Sequence, residues 1–202
     1  MTNRTFMATI LLCANLWVPL SAKQQPDQSA QANPKEVKVL VVYYSQGGNT
    51  EKMAKAVAEG AQKIVGVTAL AKKVADVSGE DLKTADALLL GSPTYYGDMA
   101  GQMKSFIDDW FFKFRVSLVD KIGGAFSSGL GGTGGKEHVL YSLVIAMMNA
   151  GMIVAGPLIE GMGGVGVSAL DPVNDVALKE CRALGEHVAN VARRVKTGEK
   201  RK

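Results

Sequence analysis

Hydrophobic positions change period several times along this chain. Lys38 to Tyr44, "KVLVVYY", is a nearly continuous run of β-branched, aliphatic and aromatic residues. Such a run predicts a strand covered on both faces, as in a parallel sheet. A polar stretch, Ser45-Gln46-Gly47-Gly48-Asn49-Thr50, ends it, and Met53, Val57, Ala61 and Ile64 then repeat at helical spacing. Asn49 or Thr50 is placed to cap that helix, with Glu51 in its first turn.

The same alternation recurs downstream. Strands are expected over Thr68–Val74, Ala87–Gly91, Ile122–Phe126 and Met152–Ala155. Helices are expected over the segment "SGEDLKTADA" capped by Ser78, over Met99–Phe112, over Glu137–Ala150, and from Asp171 to Val195 with Pro172 in the first turn. Strands alternating with helices imply an α/β fold, a doubly wound five-stranded parallel sheet with helices on both faces. In such a sheet three segments share the edge outside the strand carboxyl ends: "SQGGNT", "SPTYYGDMAGQ" and "SSGLGGTGGKE". Ligands bind at that edge, at the topological switch point.

Composition leaves this picture intact. The 202 residues are 47% hydrophobic and 21% charged, with a net charge of +4, which suits one globular domain. The basic tail "RRVKTGEKRK" reads as a solvated helix end and not as a nucleic-acid site. The amino terminus does change the picture. Arg4 precedes an apolar run from Phe6 to Leu20, and "PLSA" ends in small residues at Ala22. Residues 1–22 read as a Sec-type signal peptide, or as an anchor if uncleaved, in which case residues 6–20 are the membrane contact. The expected location is therefore the periplasm or the exterior, or the membrane or cytoplasm where the signal is not processed. Residues 23–36, "KQQPDQSAQANPKE", read as a flexible linker, and residues 37–202 as the folded domain. Beyond the signal only Cys181 remains, in a helical pattern that suits a buried structural thiol.

The three loops suggest the chemistry. Taken alone, "SQGGNT" also suits an ordinary turn between a strand and a helix. It lacks the lysine of a Walker loop and the spacing of GxGxxG. A strand end feeding a helix start nevertheless offers free N–H groups and a partial positive charge, a seat for phosphate. Two tyrosines framed by Pro93 and Gly97 can stack on a planar ring; the alternative is a pair of surface tyrosines. The third loop is nearly all backbone, so it is either flexible or wrapped on a ligand. Phosphate seat, aromatic wall and backbone loop together suit FMN better than ATP. No lysine or paired carboxylates stand ready for Mg²⁺ in these loops, and His138 and His187 lie too far apart to suggest a metal site.

Three blocks carry a family likeness: "VLVVYYSQGGNTEKMAKAVAEGA", "GSPTYYGDMAGQMKSFIDD" and "FSSGLGGTGGKEH" followed by "NAGMIVAG". On these the chain resembles the flavodoxin-like NAD(P)H:quinone oxidoreductases of the WrbA type, over roughly residues 37–156. The resemblance implies that Ser45, Gly48, Asn49 and Thr50 bind the FMN phosphate. It implies that Pro93, Thr94, Tyr95, Tyr96 and Gly97 contact the flavin ring, and that Ser127, Ser128, Gly129 and Gly132 hold ribityl and phosphate oxygens. Two departures stand out. Asn149 occupies a position where the family has histidine near the second ring, and the family insertion after strand two, used in tetramer formation, is missing. A dimer or monomer is therefore expected.

The activity implied is two-electron transfer from NADH or NADPH to a quinone or similar small acceptor, the flavin supplying the redox chemistry. The alternative is a flavodoxin-type electron carrier without turnover. Carriers of that class are usually strongly acidic, whereas this chain is mildly basic.

Overall fold

The computed structural model describes residues 36–160 and 162–199. The expected signal over residues 1–22, and all but the last residue of the expected linker, lie outside them. Among the described residues no helix is long and apolar enough to cross a membrane.

The sheet is parallel and doubly wound. Strands β1 (Val37–Tyr43), β2 (Val67–Lys73), β3 (Ala87–Tyr95), β5 (Ile122–Gly129) and β6 (Ile153–Val154) lie in the order β2-β1-β3-β5-β6. Strand order reverses between β1 and β3, so the loops leaving these two strands diverge and open a crevice at their carboxyl ends. Helices α1 (Asn49–Gln62) and α5 (Asp175–Thr197) cover one face of the sheet, packing on Val39, Val41, Leu89 and Phe126. Helices α2 (Gly79–Thr84), α3 (Gly101–Phe112) and α4 (Lys136–Asn149) cover the other, packing on Leu40, Val42, Leu88, Leu90 and Ala125. Inward-facing residues of each strand thus alternate between two apolar cores.

The fifth strand position differs from expectation. Only Ile153 and Val154 pair there with the start of β5; the chain then leaves the sheet for a hairpin of β7 (Leu158–Ile159) and β8 (Met162–Gly163). It returns as β9 (Val167–Leu170), which pairs with Phe126–Gly129. The detour needs close backbone approaches, since a side chain at Gly156 would meet the Gly164 carbonyl and one at Gly166 the Ala125 carbonyl. Paired on both sides, β5 runs three residues past the expected end at Phe126, so Ser127, Ser128 and Gly129 are strand, not loop.

Helix starts also shift. Helix α5 begins at Asp175, where the Asn174 side chain accepts the Ala177 N–H at 2.9 Å; Pro172 lies before the helix, after a cis bond from Asp171. For α1 the cap is Gly48, at φ 84°, and neither Asn49 nor Thr50 caps it. Helix α2 does follow its sequence. Ser78 and Asp81 form a reciprocal capping box.

Lys72 adds an ion pair to that box, at 2.7 Å from the Asp81 carboxylate. Burial pushes the Asp81 carboxyl up, but hydrogen bonds from Lys72 and Ser78 outweigh it and bring its pKa to about 2, from 3.8. A depressed folded value stabilises the native state above the ordinary pKa and is lost as pH falls toward the folded one. With solvent screening allowed for, Asp81→Asn is expected to cost about 1 kcal/mol at neutral pH and to flatten the stability loss between pH 3.8 and about 2. Denaturant titrations across that range check this. Cys181 is wholly buried, and desolvation pushes its thiol up to about 12, the mark of a structural and unreactive cysteine.

Candidate functional site

All three loops meet at the carboxyl edge, and hydroxyl pairs tie them together. Thr50, in the first turn of α1, lies 3.1 Å from Ser128 at the end of β5, and both are buried. On the opposite face of β5, Ser127 lies 3.2 Å from Thr94 of β3. Two hydroxyls that share one hydrogen leave a second hydrogen free to donate. The Thr50–Ser128 pair therefore holds a spare donor beside the free first-turn N–H groups of α1.

Ser45 shapes the first loop. Its hydroxyl oxygen accepts the Gly48 N–H at 3.1 Å and still has its own hydrogen to give. Gly48 turns the chain into α1 at positive φ, and nothing stands within 4 Å of where a side chain on Gly47 or Gly48 would begin. Asn49 faces elsewhere: its side-chain oxygen accepts the Val173 N–H at 3.4 Å, which ties α1 to the segment after β9.

The second loop is a hairpin. Beyond the expected end at Gly91, β3 continues to Tyr95 and turns back antiparallel through β4 (Asp98–Met99). Tyr96 and Gly97, the two turn residues, have φ of 50° and 85°. Positive φ at both central positions marks a tight two-residue turn and strains a non-glycine residue. It leaves the Tyr96 side chain fully exposed. Tyr95 leans back toward the first loop, edge-on to Tyr44 at 6.4 Å and donating to Gln46 Oε1 at 3.3 Å. Burial, then Tyr44 and Asp171, raise the Tyr95 phenol pKa. Pro93 lies in register with Ser128.

The third loop, from Leu130 to Gly135, packs on the second. A side chain on Gly135 would come within 2.8 Å of the Gly97 carbonyl, and one on Gly129 would lie 3.2 Å from Thr94. Gly132 is exposed with open space around it.

Two groups join the site without having been expected there. Lys136, which closes the third loop, turns its ammonium into that loop, donating to the Gly131 carbonyl at 2.6 Å and to that of Gly132 at 3.3 Å. The signal was present as a lysine ending a glycine run. Asp171, after β9, buries its Oδ1 without a hydrogen-bond partner among the described residues. That oxygen suits a ligand hydroxyl, and only the unexpected strand β9 brings it to the site.

The Asn149 reading is overturned within one chain. Lys136 opens α4 at the site, and the 14-residue helix carries Asn149 roughly 20 Å away, toward the strand amino ends. There Gly151 accepts the Asp120 N–H, just before β5 begins. Asn149 therefore does not face this chain's own loops.

Neutral donors at a helix start, tyrosines on the next loop and a glycine-rich third loop thus share the carboxyl edge of an α/β sheet. A flavodoxin family profile matches residues 41–170. The chain is 37% identical to a flavodoxin of Aquifex aeolicus over 75% of its own length and 85% of that protein's. It is 31% identical to an NAD(P)H dehydrogenase (quinone) of Geotalea uraniireducens, over 79% and 99%. Among solved structures, a WrbA-like flavodoxin from Agrobacterium tumefaciens superposes with TM-score 0.62 at 32% identity, over 78% of this chain and 98% of that one. An archaeal flavodoxin superposes with TM-score 0.65 at 31% identity, over 78% and 99%. The chain belongs to the flavodoxin family, and its fold is flavodoxin-like. That membership implies a flavoprotein of the FMN-type oxidoreductase class in general terms.

Proposed function

We propose that this protein binds FMN and passes two electrons from NADH or NADPH to a quinone or similar small acceptor. The observation that carries the flavin part is the buried Thr50–Ser128 hydroxyl pair with its spare donor at the start of α1. A neutral seat of this kind holds a phosphate monoester through directed hydrogen bonds and the helix terminus, without lysine or arginine. Tyr95 and Tyr96 supply the aromatic wall, and the buried Asp171 oxygen accepts from a ribityl hydroxyl. When bound, the flavin supplies the redox chemistry; the chain holds and orients it.

Similarity to quinone dehydrogenases and the mild positive charge favour an enzyme. Similarity to proteins named flavodoxin favours the second reading, an electron carrier. The purified protein is expected to take up FMN and to bind FAD less well, because the three loops offer one phosphate seat. With FMN bound, it is expected to oxidise NADH or NADPH only when a quinone is supplied. A protein that stays colourless through FMN titration overturns the flavin part. One that binds FMN without nicotinamide oxidation overturns the enzyme reading, and a stable semiquinone then marks a carrier. Residues 1–22 would export it, and amino-terminal sequencing of the fractionated native protein tests that.

A further inference from the structure

Lys136 is only 4% exposed, yet no carboxylate among the described residues pairs with it. Its partners are two peptide carbonyls of its own loop. A buried charge normally has a counter-charge, because desolvating an ion is costly. Its position also stands against the helix dipole, at the amino end of α4, where cations are disfavoured. A lysine kept there without an acid suggests that a bound anion completes it.

The sheet faces say which anion. Neighbouring residues on a strand point to opposite faces. Ser128 faces α1 and joins Thr50 at the phosphate seat. Ser127, Gly129 and Thr94 face the α3 and α4 side. The Lys136 stem lies on that second side, 3.1 Å from where a side chain on Gly129 would begin, and Gly135 beside it packs on Gly97. The lysine stem is thus across β5 from the phosphate seat, and the third loop that its ammonium ties down packs at Gly135 against the loop that carries Tyr95 and Tyr96.

We propose that Lys136 is a fixed cation at the ring end of the flavin site, held by the Gly131 and Gly132 carbonyls, which favours the reduced, anionic flavin over the oxidised one. This rests on the flavin reading above. Two electrons and one proton convert the neutral oxidised ring to an anion, the proton going to N5 and the negative charge to the N1 side. Oxidised flavin carries no ring charge, so a buried cation distinguishes the two forms.

The test is the ratio of reduced-FMN to oxidised-FMN affinity, read as the midpoint potential of the FMN-loaded protein titrated with dithionite. Lys136→Gln keeps donors for the carbonyls but removes the charge; Lys136→Arg keeps the charge. The ratio is expected to fall about tenfold in Lys136→Gln, or about 30 mV for a two-electron couple, and to stay near wild type in Lys136→Arg. The preference for FMN over riboflavin is expected to hold in both. An unchanged ratio in Lys136→Gln makes the lysine a loop clamp only and overturns the proposal. So does a lost preference for FMN over riboflavin with the ratio intact, which would assign the cation to phosphate. The wild-type protein gives an independent reading should Lys136→Gln not fold. Its potential is expected to track one proton per two electrons across the neutral range, and two protons would mean a neutral reduced ring and no role for the cation. Failure of the wild type to bind FMN overturns the flavin reading itself, and this one with it.

Discussion

Gly185→Ala is expected to destabilise the protein by about 1–3 kcal/mol, although glycine to alanine inside a helix ordinarily gains about 1 kcal/mol. The reversal comes from the crossing of α1 and α5. A methyl group on Gly185 would overlap the Val57 carbonyl and come within 3.0 Å of the Ala61 nitrogen; one on Gly60 would overlap the Arg182 carbonyl. Both obstacles are backbone, so no rotamer change relieves them. The helices must move apart, and that opens the core they share around Met53, Val57, Leu184 and Val188. For a domain of this size the loss lowers Tm by roughly 3–10 °C. Gly60→Ala is expected to behave similarly. The double variant is expected to cost less than the sum, because one displacement of the helices accommodates both methyls. Thermal melts of the three variants decide it. A Gly185→Ala protein as stable as wild type would show that the crossing is looser than its geometry.

How legible was all this in the sequence? The alternation of strands and helices, the parallel sheet and the edge where the loops gather were legible, because continuous apolar runs and the stripe from Met53 to Ile64 are strong periodic signals. Lengths at the site were less so. Strand β3 extends through Pro93 and Thr94 to Tyr95 because a Tyr96–Gly97 turn at positive φ folds it back on β4. Nothing periodic in "SPTYYGDM" announces that. Strand β9 is four residues among small ones, and its pairing with β5 is a long-range fact that no local pattern records. That omission hid Asp171, which reaches the site only because β9 delivers it.

The same holds for side-chain direction. Thr50 and Ser128 were both legible as phosphate-seat candidates, but not as partners, since 78 positions separate them. Asn49 looked equally suited to the seat, yet its side-chain oxygen is engaged with Val173. Lys136 was masked by the glycines around it. Which way a lysine turns at the first position of a helix depends on what lies beneath, and here Gly129 leaves the room.

Thr50→Val removes a donor while keeping the shape of the side chain, but it leaves the Ser128 hydroxyl buried without its partner. It is therefore expected to lower stability as well as FMN affinity. The double variant Thr50→Val/Ser128→Ala removes both polar groups and is expected to recover much of that stability, since deleting both partners of a buried hydrogen bond is nearly neutral. FMN affinity is not recovered. A hydrogen bond to a charged acceptor is worth about 1.5–3 kcal/mol, so the double variant is expected to bind FMN roughly ten- to a hundredfold more weakly. Riboflavin lacks the phosphate and has nothing to lose at this seat, so its affinity is expected to change little. Fluorescence titrations with both flavins, beside denaturant melts, separate the roles. If FMN and riboflavin weaken equally while the fold holds, Thr50 and Ser128 shape the strand end and the phosphate is held elsewhere.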